Sequence, residues 1–154
     1  MVIKRKALTL IELITIIVVL GVAIPVLLRM WAEVALRSSR SEAIAEATFY
    51  AEELMEEIKS KEFVDPQDRS NPNLGPNSGE NQRLDYDDVD DFNGYLDSPA
   101  PGYTRRCIVD YVTLNTNIWE SSASTTNFKR ITVSVLRSEQ LAGEVSLVTI
   151  VTFY

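Results

Sequence analysis

Five aspartates crowd into seven positions: Asp85, Asp87, Asp88, Asp90 and Asp91, within the run DYDDVDDFNGY. Like charges at this spacing repel one another unless they are screened or bridged, so a hard divalent cation, with calcium as the candidate, is a natural partner. The spacing is not that of an EF-hand loop, whose ligands fall at alternate positions around a glycine. Counting back from Gly94 gives Asn93, Asp91 and then Val89, which has no ligand atom. Glu80 and Asp97 flank the run, and Arg83 is the sole nearby cation. Two other readings explain the same composition. One is a solvated acidic surface docked to a sheet through Tyr86, Phe92 and Tyr95, and the other is a contact surface for a neighbouring subunit.

Other reactive chemistry is sparse. The 154 residues contain no histidine, which removes the commonest acid–base group and metal ligand. The one cysteine, Cys107, allows no internal disulfide and reads as a small buried apolar residue in a strand. No G-x-S-x-G elbow and no phosphate-binding glycine loop is present. These absences point away from an enzyme. A net charge of −7, with no Lys/Arg cluster beyond Lys4-Arg5-Lys6, points away from nucleic acid as a partner.

A second acid stands out for its surroundings. Glu12 is the only charge between Ala7 and Leu28 in the stretch ALTLIELITIIVVLGVAIPVLLRM. That length matches the roughly 20 apolar residues needed to cross a bilayer core. The stretch is apolar on every side of a helix, so it belongs in a bilayer or among similar helices. An acid inside such a span is costly and marks function. Pro25 removes a backbone donor, and Gly21 adds a second weak point, so the helix is expected to bend or loosen there.

The residues Lys4-Arg5-Lys6-Ala7 followed by Leu8-Thr9-Leu10-Ile11-Glu12-Leu13 resemble the processing segment of type IV pilins and type II secretion pseudopilins. In that family a basic leader ends in a small residue, usually Gly. A prepilin peptidase cuts after it, and the new N-terminal residue, usually Phe, is N-methylated. The T-L-I-E-L core stands intact as Thr9–Leu13, with Ala7 in place of Gly and Leu8 in place of Phe. The resemblance covers the first 25 to 30 residues. It implies cleavage between Ala7 and Leu8, methylation of Leu8, and assembly through Glu12, with Gly21 and Pro25 adjusting the helix. It also raises the expectation of calcium, because some pseudopilins bind it in a loop of the head. Loss of the three leader cations would leave a net charge of −10.

The elements that must position these residues follow from pattern. Residues 1–7 are a basic leader and 8–30 a membrane or filament-core helix. Residues 31–62 continue that helix as an amphipathic segment free of Pro and Gly. Ile44, Ala47, Ala51, Leu54, Met55 and Ile58 form its apolar stripe. Residues 63–102 form a long polar loop punctuated by Asn71-Pro72, Gly75-Pro76 and Ser98-Pro99. Residues 103–154 form an antiparallel sheet: a strand over 103–114, a loop over 115–127, a strand over 128–137, a turn over 138–143 and a strand over 144–154. The expected fold is therefore α+β, a long N-terminal helix packed on a small antiparallel head sheet.

The basic flank places the N-terminus in the cytoplasm and the head outside the inner membrane. The resemblance implies a structural subunit, a minor pilin or pseudopilin. Its partners would be a prepilin peptidase, other subunits, an inner-membrane assembly platform and the lipid bilayer. The competing expectation is a signal-anchored extracytoplasmic binding or sensor domain that never polymerises.

Overall fold

A computed structural model describes residues 9–66, 72–138 and 143–153. The chain divides into two compact units, Met1–Arg40 and Ser41–Tyr154. One helix, α1 (Leu10–Lys59), contributes to both. Thr9 caps its start: the Glu12 N–H donates to Thr9 Oγ1 at 3.4 Å, and the Leu13 N–H to the Thr9 carbonyl at 3.1 Å. Lys59 lies in the last turn, where its charge complements the carbonyl end of the helix.

In the second unit α1 packs on a five-stranded antiparallel sheet, as the α+β expectation holds. The strands are β1 (Leu96–Asp97), β2 (Tyr103–Asn115), β3 (Ile118–Ser121), β4 (Phe128–Arg137) and β5 (Val145–Thr152). Their order is β1-β2-β4-β5, with β3 pairing on the far end of β2. Register aligns Cys107 with Val133 and Val133 with Leu147, so one inward row crosses three strands. Ile131, Val133 and Val135 are fully buried against Leu54, Met55 and Ile58 of α1 in a single core.

The helix stripe differs from expectation at one position. Ala43 is 0% exposed, whereas Ile44 is 40% exposed. The face that meets the sheet runs Ala43, Ala47, Ala51 at intervals of four before widening to Leu54, Met55 and Ile58. Successive helix residues are turned about 100° apart, so Ile44 faces away once Ala43 faces in.

The expected loop over 115–127 contains a strand. Thr116 and Asn117 both have positive φ (48° and 67°), the geometry of a two-residue hairpin turn, and they return the chain as β3 along β2. Trp119 then stacks edge-on against Phe128 at 5.1 Å. The described parts of the long 63–102 segment, 63–66 and 72–102, are likewise more ordered than a plain loop. The segment holds β1, 3-10 turns at Arg83–Asp85 and Asp90–Phe92, and a parallel bridge between Glu62 and Asp88. Its anchor is Phe92, fully buried and packed edge-on with Tyr86 and Tyr95. Residues 139–142, within the expected 138–143 turn, lie outside the described residues.

Candidate functional site

Two regions carry the residues singled out by sequence. The first is the apolar part of α1. From Leu10 to Leu28 every residue is exposed except the half-buried Ala23. The most apolar 18 residues of the helix have a mean hydropathy of 2.8, and none of them is buried, so the helix is long and apolar enough to cross a membrane. Glu12 sits in its first turn, where a negative charge faces the positive end of the helix dipole. Thr9-x-x-Glu12 is also the spacing of a capping box, of which the bond from the Glu12 N–H to Thr9 Oγ1 is formed. Gly21 and Pro25 stand one turn apart. Pro25 has no N–H to offer the Gly21 carbonyl, and a Cβ at Gly21 would meet no other side chain within 4 Å. The helix nevertheless runs unbroken through both residues. Ala7 and Leu8 lie outside the described residues.

The second region is the acidic loop, where the fold separates the five aspartates into different jobs. Asp85 is exposed, and its Oδ2 accepts the Gln82 N–H at 3.2 Å. Asp88 is buried, and its Oδ1 accepts the N–H groups of Asp90 (2.6 Å) and Asp91 (3.2 Å), capping the second 3-10 turn. Asp90 reaches Lys129 Nζ at 2.7 Å, both side chains being buried. Asp91 Oδ2 accepts the N–H groups of Asp87 (2.9 Å) and Asp88 (3.2 Å). The structure does not bring all five carboxylates to one point. Asp87 and Asp91 instead meet Glu80, with one oxygen of each within 4.8 Å of the others.

Charge is crowded here. Burial, then the charges of Asp90 and Asp91, push the Asp88 carboxyl up to about 7. Burial raises Asp90 as well, against the opposing pull of Lys129. Burial raises Glu80, and its contact with the Asp91 carboxylate adds to the effect.

Two buried cations that the sequence reading did not single out hold the loop and helix to the sheet. Arg105, 1% exposed, donates to Asp97 at 3.0 and 2.7 Å, to Glu53 at 3.0 Å and to the Tyr50 carbonyl at 2.8 Å. Lys129, 0% exposed, pairs with Asp90, donates to the Phe63 carbonyl and lies 4.2 Å from the centre of the Phe63 ring. Arg83 adds Glu57 and Asp97 to the network. Burial opposes ionisation of Asp97, but hydrogen bonds from Arg105 and Tyr95 and the Arg105 charge outweigh it and lower its pKa. Cys107 is buried, and burial alone pushes its thiol up to about 12, so it behaves as a core residue.

These shifts set the pH response of the second unit when chelator removes divalent cations. Asp88 has a raised folded pKa, so its contribution is fully present below the unfolded value and is lost as pH rises through about 7. Asp97 has a lowered one, so its contribution is present above the unfolded value and is lost as pH falls through the folded one. Unfolding free energy is therefore expected to peak near about pH 4, where the two trends meet, and to fall by on the order of 2–3 kcal/mol by about pH 8. Urea titrations across that range check this; a flat profile from about pH 5 to about pH 8 contradicts it.

The chain matches no protein-family model, no curated protein and no solved structure.

Proposed function

We propose that this chain is a structural subunit, a minor pilin or pseudopilin, of a type IV pilus or type II secretion pseudopilus. The observation that carries the reading is the helix from Leu10 to Leu28, apolar on all sides, exposed except at the half-buried Ala23 and bearing Glu12 as its only charge. Water does not tolerate such a surface, and no described residue covers it. A bilayer satisfies it before assembly and a bundle of like helices satisfies it afterwards.

In this reading a prepilin peptidase cuts after Ala7 and frees the amine of Leu8. The subunit waits in the inner membrane with its head in the periplasm until the assembly platform adds it to the filament. In the filament core the Glu12 carboxylate accepts an N-terminal amine, its own or a neighbour's. Pairing offsets part of the cost of both charges in an apolar core and fixes the stagger between subunits. Gly21 and the missing N–H of Pro25 weaken one turn, which lets the helix adapt from bilayer to filament. Asp and Glu on the head then serve solubility and contact, and no catalytic step is assigned to them.

The test is co-expression with a prepilin peptidase and filament assembly proteins, followed by shearing and sedimentation of filaments. Recovery of the chain in the filament fraction, dependent on the peptidase, is the expected result. A chain that remains entirely in the inner membrane with its leader attached returns the protein to the signal-anchored binding or sensor class.

A further inference from the structure

We propose that Lys129 and Asp90 are a self-modification site: the Lys129 amine condenses with the Asp90 carboxyl, releasing one water and leaving an amide that ties the acidic loop to the sheet. Ordered elements hold the pair from both sides. Lys129 lies on β4, in register with Tyr111 of β2 and Val151 of β5. Asp90 opens the 3-10 turn Asp90–Phe92, which Asp88 caps and the fully buried Phe92 anchors. The Lys129 side chain is 0% exposed and that of Asp90 6%, so bulk water reaches neither group freely.

The two reacting groups already touch. Lys129 Nζ stands 2.7 Å from Asp90 Oδ1. A carbonyl-type C–O bond is about 1.2 Å long, so the carboxyl carbon is at most about 4 Å from the nitrogen, near the roughly 3–3.5 Å of atoms poised to react. Oδ1 nonetheless has no hydrogen-bond partner, so the nitrogen rests against the carboxyl without an aligned N–H···O bond. The Phe63 carbonyl accepts a hydrogen bond from the same nitrogen and fixes its place. The rings of Phe63 and Tyr111, centred 4.2 and 5.4 Å from Nζ, wall the pair.

In water an ammonium and a carboxylate do not condense, because hydration holds both as ions. Burial removes that hydration and disfavours the charged forms. Burial accordingly raises the Asp90 carboxyl above the usual carboxylate range, with Lys129 opposing. One proton passes from the Lys129 ammonium to the Asp90 carboxylate, giving a neutral amine and a neutral acid. The nitrogen lone pair then forms a bond to Cγ. A second proton moves from nitrogen to the acid's hydroxyl, the C–OH bond breaks, and water leaves. The third hydrogen stays on the amide nitrogen, so the step balances without oxidant or cofactor. The chain has one cysteine and so no internal disulfide to tie this loop down; an amide from loop to β4 closes it covalently instead. Before condensation the two groups form the ion pair described above, and the unlinked chain is the reference for substitutions at either position.

The bond does not depend on whether the chain enters a filament. Its test uses the full-length chain purified in detergent, weighed intact and then digested with trypsin under denaturing conditions. The parent is expected to be lighter than its sequence by one water. Trypsin does not cut after an acylated lysine, so the digest should contain a branched peptide, residues 84–105 joined to residues 107–130. Fragment ions should place the link between Asp90 and Lys129. Lys129→Arg keeps a cation at this place but supplies no amine, and Asp90→Ala removes the acid; each should keep its full mass and give no branched peptide. The parent digest decides the matter even where a variant fails to fold. A parent of full mass, cut after Lys129 and yielding residues 84–105 as a free peptide, overturns the proposal. A water loss that fragment ions place elsewhere, or a branched peptide that persists in Lys129→Arg, overturns it too.

Discussion

Glu12→Ala and Glu12→Gln are expected to reduce incorporation into filaments about a hundredfold or more while leaving membrane insertion intact. Removing one partner of a buried ion pair strands the other, at a cost of roughly 3–5 kcal/mol, and each 1.4 kcal/mol is tenfold in an equilibrium. Insertion should improve slightly, since an acid opposes entry into hydrocarbon. The two variants separate the roles that the first turn allows. Gln still completes a capping box with Thr9, whereas Ala does not. If Gln assembles as well as the parent and Ala fails, Glu12 serves the helix cap and the charge-pairing role is wrong. Quantifying the chain in sheared filaments against the chain in inner membranes reads both effects at once.

The second large effect lies in the head. Lys129→Met is expected to destabilise the second unit by roughly 3–5 kcal/mol, because Asp90 is left buried and charged without its cation. Lys129 is 0% exposed, and its Nζ also serves the Phe63 carbonyl. Adding Asp90→Asn should restore much of the loss, since the neutral amide needs no counter-charge. A shift in the urea midpoint measures each step. A double variant as unstable as the single one would place the cost in lost packing against Phe63 and Tyr111 instead of in the orphaned charge.

How much of this was legible in sequence depends on the residue. Period-2 alternation placed Ile131, Val133 and Val135 inward, and the fold agrees. The same parity puts Lys129 on the inner face of β4, and Arg105 shares the inner face of β2 with Cys107 and Val109. A charged residue at an inward position signals a buried ion pair, but pattern does not name the partner: Asp90 lies in the loop, far from Lys129 in sequence, and Asp97 stands opposite Arg105 on a strand of only two residues. Trp119 and Ile118 looked like stray apolar residues because the strand is short and the Thr116-Asn117 turn lacks the glycine that usually announces a hairpin. The aspartate run gave away its location and its charge. Which carboxylates converge depended on capping: Asp85 and Asp88 are spent on backbone N–H groups, Asp90 on Lys129, and Glu80 enters only because the turn at Gly79 folds it back.

The filament reading turns on what happens before Leu8. The most direct measurement is the intact mass and N-terminal sequence of the full-length chain, expressed with and without a prepilin peptidase. A mature chain that begins at Leu8 and carries one added methyl group, only when the peptidase is present, is the predicted result. A chain that keeps Lys4 to Ala7 under both conditions contradicts it and leaves a membrane-anchored head.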